Sequence, residues 1–313
     1  MSEICPLCES RKTTIVADRV RFDHEAHVRR CGECSLVFLD QDSFEFPADF
    51  YEHSYHQTYL THVDPATVDP ARYFEKMSIA SKPWIERIRG LLTGAEAVLD
   101  VGCSTGHVLA GIRDAARSVS GHELSRKEVA YCRDVLQLDV ADSPLEQRFA
   151  PGTFDYILLI FVLEHIGRPV EFLNDLKRYL KPDGKFVIVV PNVTDPLLGF
   201  YRIPEFGRFY FCIEHLFYYS PKTIGELFTR AALFGSIETV QEYPITNHLN
   251  WGYRQKPSET LASRRMVPDI ALADESKLGA WERFWAEVNE SYRQLLKREG
   301  HGDRVWSVVG RAR

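Results

Sequence analysis

Asp100 stands in the run Val98-Leu99-Asp100-Val101-Gly102-Cys103-Ser104-Thr105-Gly106-His107, an apolar stretch that breaks into two glycines and a serine. Such a run reads as a short buried strand entering a turn that opens a helix. Glu123 closes a second apolar run, Ser118-Val119-Ser120-Gly121-His122. Glycine lets the backbone approach a ligand closely, and an acid at the end of the next strand accepts hydrogen bonds from a ribose diol. The chemistry implied is nucleoside recognition. The order G-x-S-x-G over Gly102–Gly106 departs from the G-x-G-x-x-G of dinucleotide folds. An acid two residues before the first glycine also suits an aminoacyl sulfonium better than a pyrophosphate. A nicotinamide or flavin dinucleotide, and a plain strand-turn-helix with no ligand, stay open on this string alone.

A second constellation is made of thiols. Cys5-x2-Cys8 and Cys31-x2-Cys34 form two knuckles with 22 residues between them. Each knuckle puts two sulfurs on one tight turn, and a hairpin between them brings the turns together. In a reducing compartment this spacing points to tetrahedral thiolate ligation of Zn²⁺ rather than to disulfides. So short a module has little core of its own, and metal binding supplies its folding energy. His24 and His27 are spare donors beside a set that four cysteines already complete. Cys103, Cys132 and Cys212 are expected to be small buried hydrophobes.

These groups need a scaffold. The 313 residues are 45% hydrophobic and 26% charged, the composition of an ordinary globular protein of roughly two domains. A net charge of −6 provides no electrostatic footprint for nucleic acid. No apolar run is long enough to span a membrane. The start, Met1-Ser-Glu-Ile-Cys-Pro, lacks the regions of a signal peptide, so a cytoplasmic location is expected.

Residues 1–40 form the zinc-ribbon candidate. Residues 41–95 form an aromatic linker or lid, with Tyr51, Tyr55 and Tyr59, followed by a helix over about 71–92. From residue 96 to 313 apolar runs alternate with helical segments, which predicts an α/β fold with a parallel sheet. The predicted strands are 97–101, 118–122, 136–140, 154–160 and 186–190, then 236–240 and 304–309. Insertions at 195–222 and 242–300 interrupt this rhythm, the second carrying a helix near 279–297. Nine aromatics lie between Phe200 and Tyr219. They predict an apolar pocket wall, with Arg202 or Arg208 binding an acceptor phosphate, or else a homodimer contact.

The Asp100–Gly106 string resembles motif I of the class I S-adenosylmethionine (SAM)-dependent methyltransferases. Phe154-Asp-Tyr-Ile-Leu-Leu-Ile-Phe161-Val-Leu-Glu164-His165 is similar to their fourth strand and the turn after it, and Lys181-Pro-Asp-Gly-Lys-Phe186 to the turn into the fifth. The resemblance implies a Rossmann-like sheet ending in an antiparallel strand. It implies SAM held by Asp100, Gly102, Ser104, Gly106, Glu123 and Phe161, with Ser143 near the adenine by position. With the cysteine knuckles and Arg30-Cys31-Gly-Glu-Cys34-Ser-Leu-Val-Phe38, the chain resembles bacterial zinc-ribbon methyltransferases of sugar, polysaccharide and natural-product pathways. Glu214-His215-Leu-Phe-Tyr-Tyr-Ser220 is similar to the Y-H-E-H-x-x-Y-x-S string of deoxysugar C-methyltransferases. There a tyrosine and the second histidine serve as acid and base. Here His215 is present, but Cys212 and Ile213 replace the tyrosine and the first histidine.

The reaction expected is methyl transfer to the oxygen or carbon of a small acceptor, a sugar, sugar nucleotide or natural-product intermediate. His215 or His165 would take its proton, with Glu214 orienting one of them. Two competing readings are an RNA methyltransferase gripping nucleic acid with the ribbon, and a non-catalytic SAM-binding protein. The acidic balance argues against the first, and the Glu-His pairs 164–165 and 214–215 against the second.

Overall fold

The computed structural model describes residues 4–43, 69–255 and 278–312. Tyr51, Tyr55 and Tyr59, expected to form a lid, lie outside the described residues, as does much of the second insertion. The strands in chain order are β1 (Thr13–Val20), β2 (His24–Cys31), β3 (Val37–Leu39), β4 (Ala97–Val101), β5 (Ser118–His122) and β6 (Asp139–Ala141). They continue as β7 (Phe154–Ile160), β8 (Leu180–Pro191), β9 (Phe217–Tyr218), β10 (Leu233–Val240) and β11 (Arg304–Arg311).

Seven of them form one sheet in the order β10-β11-β8-β7-β4-β5-β6. The strands β8-β7-β4-β5-β6 are parallel, and β11 runs antiparallel to both its neighbours. Every residue of β4 is buried, as its unbroken apolar run demands of a strand covered on both faces. The chain runs from β4 out to β5 and β6, then returns to the other side of β4 as β7. The strand order therefore reverses at β4, and a crevice opens beyond the carboxyl ends of β4, β5 and β7. This is the Rossmann-like α/β sheet with an antiparallel C-terminal strand that the sequence implies.

Local chemistry moves some predicted boundaries. The single helix expected over 71–92 is two helices, Pro70–Ala80 and Lys82–Arg89. Pro83 brings no N–H donor and crowds the residue before it, so the chain bends at Ser81. The strand expected over 136–140 is only Asp139–Ala141, because Gln137 is left-handed (φ 55°) after a wide helical turn at Tyr131–Val135. The predicted C-terminal helix runs Leu278–Glu299. Among the described residues no helix is long and apolar enough to cross a membrane.

The N-terminal strands form a second, antiparallel sheet in the order β1-β2-β3-β9. Its fourth strand comes from far along the chain: Val37 pairs with Tyr218 and Phe38 with Phe217. One apolar cluster accordingly runs from Val28, Leu36 and Phe38 through Phe217 and Tyr219 to Phe186 and Ile188 of the large sheet. The aromatic run 200–219 supplies much of this join. Phe206, Tyr210, Phe211, Phe217, Tyr218 and Tyr219 are buried, and only Phe200 and Tyr201 are prominently bare. Rather than lining a pocket or waiting for a partner copy, most of these rings cement the two sheets together.

Candidate functional site

A pocket of about 420 Å³ lies at the strand-order reversal, within the range of small-molecule sites. Asp100, Gly102, Cys103, Ser104 and His107 line it from the end of β4 and the turn after it. His122, Glu123 and Leu124 come from the end of β5, and Phe161, Val162, His165 and Ile166 from the end of β7. Tyr73, Met77 and Ser81 close one wall from the bent helix pair.

The turn after β4 has the conformation its residue types foretell. Gly102 and Gly106 have φ of 75° and 73°. A Cβ on Gly102 would sit 2.8 Å from Val162 Cγ2, so glycine keeps the β4 and β7 ends in contact. Gly106 backs onto Leu138 and Cys132 and is absent from the pocket lining. It makes the left-handed turn into the helix His107–Ile112. Ser104 itself is left-handed at φ 49°, which aims its N–H at Glu123 Oε2 (2.8 Å). The N–H of Ser125 meets Glu123 Oε1 at 2.9 Å. Glu123 is thus held by one backbone donor per oxygen, with lone pairs left for a ligand.

Asp100 is buried, and burial together with the Glu123 charge raises its carboxyl to about 8. Glu128 is also buried, takes a hydrogen bond from Ser104 Oγ at 3.3 Å, and is pushed up to about 8 by burial and by Glu123. Two acids, Asp100 and Glu123, line the crevice, with Glu128 linked to it through Ser104 Oγ, and a cation relieves the charge they share. A diol-binding carboxylate, a close-approach turn and an acidic pocket fit a nucleoside that carries a sulfonium and an amine. His107 and Tyr73 line the pocket and were missed by sequence reasoning, as was Glu128, which reaches the pocket only through Ser104 Oγ. His107 directly follows the glycine turn and was the legible one; burial lowers it to about 4, so its ring is neutral. Ser143, in the turn after the edge strand β6, is absent from the described pocket lining.

The two histidines come together. Their rings lie 4.9 Å apart, nearly perpendicular. His165 lines the pocket and His215 stands behind it. His165 Nδ1 lies 2.7 Å from the Glu214 carbonyl oxygen. A carbonyl only accepts, so Nδ1 carries the hydrogen and Nε2 is the basic nitrogen. Burial lowers His165 to about 4, outweighing that carbonyl, and burial followed by the charges of His165, Arg21 and Arg304 lowers His215. Glu214 therefore orients His165 through its backbone, while its side chain points to Arg21 (3.7 Å). Cys212 is buried, its N–H and carbonyl clamped by the Tyr218 hydroxyl at 2.9 and 2.8 Å. Arg202 and Arg208 are exposed and line no part of the pocket, whose described lining holds no lysine or arginine.

Glu164, His165 and His215 also lie close enough to share a cation. The positive charges of Arg21 and Arg304 beside His215 disfavour one there. The thiol cluster is different. Cys5, Cys8, Cys31 and Cys34 bring their sulfurs within 4.8 Å of one another, with Cys5–Cys34 and Cys8–Cys31 at 3.5 Å. Tetrahedral Zn²⁺ at ordinary Zn–S lengths needs sulfurs about 3.8 Å apart. Backbone N–H groups of Glu33 and Leu36 point at the sulfurs of Cys31 and Cys34, and burial pushes the Cys5 thiol up to about 11. Thiolate there calls for a cation, and the four residues fit zinc. His24 and His27 stay outside the cluster.

Comparison with known proteins bears on the sheet and its crevice. The family described as a methyltransferase domain matches residues 72–233, just over half of the chain. A probable S-adenosylmethionine-dependent methyltransferase of Mycolicibacterium smegmatis is 30% identical over 101 residues, 30% of this chain and 38% of that one. A ubiquinone biosynthesis O-methyltransferase of Azoarcus is 30% identical over 145 residues, 40% of this chain and 61% of that one. The chain thus spans less than two thirds of the length of these relatives. Among solved structures, a SAM-dependent methyltransferase from Archaeoglobus fulgidus aligns with a TM-score of 0.47 at 17% identity, covering 73% of this chain and 91% of that one.

Proposed function

The chain belongs to the methyltransferase-domain family, and on that footing we propose that it methylates a small-molecule acceptor with SAM, His165 removing the acceptor's proton. The observation that carries the reading is the placement of His165. It shares one pocket with Asp100 and Glu123, and its tautomer is fixed with Nε2 basic. SAM supplies an electrophilic methyl group for in-line displacement. Glu123 would hold the ribose hydroxyls, and Asp100 with the Gly102–Ser104 turn the methionine end. Zn²⁺ on Cys5, Cys8, Cys31 and Cys34 would serve folding alone.

Alignment of donor and acceptor supplies much of the rate. The base removes the remaining obstacle, a proton on the attacking oxygen or carbon. An imidazole lowered to about 4 is neutral at pH 7 and ready to accept, but it is a weak base. That weakness favours an acceptor that is itself acidic, such as a phenol, an enol or a carbon beside a carbonyl. Such acceptors occur among natural-product intermediates and keto sugars, so both O- and C-methylation fit. A sugar nucleotide is the less supported choice, since no cation in the described pocket lining meets a diphosphate.

The test is turnover of methyl-labelled SAM on a catechol, a 1,3-diketone and a nucleotide-linked keto sugar, with wild type and His165→Ala side by side. Label entering an acidic acceptor only with His165 present supports the proposal. Transfer at equal rates in both proteins would refute the base.

A further inference from the structure

The cysteine-rich sheet reaches the histidine pair through one side chain. Arg21 sits in the tight turn between β1 and β2, where Phe22 and Asp23 both take left-handed conformations (φ 62° and 59°). Two successive non-glycine residues in that region are costly, and the turn they make delivers Arg21 to the large domain. Its N–H donates to the Phe211 carbonyl at 2.7 Å, and its Nε to the Phe209 carbonyl at 2.6 Å. The guanidinium lies 4.3 Å from the centre of the Phe209 ring, with one terminal nitrogen 3.7 Å from Glu214 Oε1. The side chains of Arg21 and Glu214 are 17% and 3% exposed, so this is a desolvated pair, not a surface one.

Glu214 is grasped from both sides. Arg21 holds its carboxylate, and its carbonyl holds His165 Nδ1. Two residues further on, the Leu216 N–H donates to the Glu164 carbonyl (2.8 Å) while its own carbonyl takes the N–H of Leu39 from β3 (3.0 Å). Residues 209–218 therefore form a strap stretched between the cysteine-rich sheet and the turn that bears His165.

We propose that Arg21 is a positioning residue: by tethering this strap it fixes the Glu214 carbonyl, which in turn fixes the tautomer and direction of the His165 ring. The cysteine-rich sheet is on this view a working part of the acceptor site. The proposal rests on His165 as the base. His215 reports on the same tether, since it faces His165, Arg21, Arg304, the Tyr218 ring, and the side chains of Glu164, Cys212 and Glu214. Removing the Arg21 charge lets its titration midpoint rise.

The experiment uses the full, zinc-loaded chain with Arg21→Met and Arg21→Lys, ¹⁵N-labelled at the histidine rings, with zinc content and affinity for S-adenosylhomocysteine measured on the same samples. In the wild type, His165 should show a single Nδ1–H tautomer. Arg21→Met should show mixed tautomers at His165 and a higher His215 midpoint than the wild type. Arg21→Lys should recover the midpoint and part of the tautomer bias, with zinc and nucleoside binding kept in both. Unchanged imidazole spectra in Arg21→Met would overturn the tether. So would loss of zinc and nucleoside binding in both variants, which would make Arg21 a folding residue. If the spectra change as described while His165→Ala still turns over, the tether stands and the base is reassigned. For a base held by the strap, kcat should fall about tenfold to a hundredfold in Arg21→Met, with KM for SAM nearly unchanged.

Discussion

The two halves of the pocket are built in opposite ways. Its β4–β5 half is local: Asp100, Gly102, Ser104 and Glu123 lie within one strand-turn-helix-strand unit, and Ser104 N–H reaches Glu123 across neighbouring parallel strands. The histidine half is assembled from four distant stretches. His165 follows β7, His215 precedes β9, Arg21 comes from the cysteine-rich sheet and Arg304 opens β11. A site made by one local unit tolerates damage elsewhere in the molecule, whereas a site made by convergence inherits the weakness of every element that feeds it.

The largest effect expected from this difference comes with the metal. Structural zinc in small modules is bound with apparent free energies of about 10–16 kcal/mol, most of it folding energy. Chelation, or Cys31→Ser, should melt β1–β3 and, through the β3–β9 pairing, open residues 209–218 to hydrogen exchange. Affinity for S-adenosylhomocysteine should stay within about threefold, because β4 and β5 pair only within the large sheet. Nucleoside affinity lost together with the ribbon would break the comparison. Next comes the base. His165→Ala should lower turnover by about 10²–10⁴ with little change in donor affinity, and His215→Ala should cost less. The reverse ranking would pass the proton to His215. The acid limb of the rate profile, provided chemistry limits turnover, should fall below pH 6.5, since burial lowers both rings.

On the other half, Glu123→Ala should weaken nucleoside binding by about 1.5–3 kcal/mol, the range for a charge-assisted contact, and leave the His165 tautomer alone. Calorimetry and the imidazole spectrum together read both outcomes. The smallest effect is a pH slope. Asp100 and Glu128, held at about 8 against ordinary values of 3.8 and 4.5, keep protons in the fold that the unfolded chain releases. Their contribution is complete below about pH 4 and is lost as the pH climbs through 8. The histidines act in the opposite sense but only below 6.5, where the unfolded chain gains their protons. Between pH 8 and 6.5 the melting temperature of the ligand-free protein should therefore rise on acidification, at about 2–4 °C per kcal/mol. Glu128→Gln should flatten that slope; an unchanged slope would remove Glu128 from the account.

Legibility in the sequence followed the same divide. Asp100, Gly102, Ser104 and Glu123 could be found because strand ends and glycine turns are short-range signals, and the cysteine knuckles because ligand spacing is one too. Gly106 has the conformation expected of it yet is absent from the described lining, since a positive φ is legible and the direction a turn faces is not. Ser143 was placed by position alone, and the turn after β6 contributes nothing to the described lining. Which of His165 and His215 would face the pocket was not legible, since the pocket wall depends on the bend at Ser81 and on β9 joining β3. Arg21 carried no signal at all: its importance lies in what stands opposite it, Phe209 and Glu214, and no periodicity encodes that.

The pairing of β3 with β9 has a consequence for the order in which the protein takes shape. Synthesis delivers the cysteine-rich hairpin early, yet the edge of β3 has no partner until Phe217 and Tyr218 emerge much later. Through that interval a wholly buried strand, Val37-Phe38-Leu39, presents open hydrogen-bonding groups to whatever is near. Zinc taken early by the four cysteines would shorten the hazard by holding the hairpin closed on its other side. The histidine strap is then laid against a finished edge, so the acceptor half is completed after the nucleoside half. A nascent chain starved of zinc would be caught with its sheet unfinished and prone to pair with its neighbours.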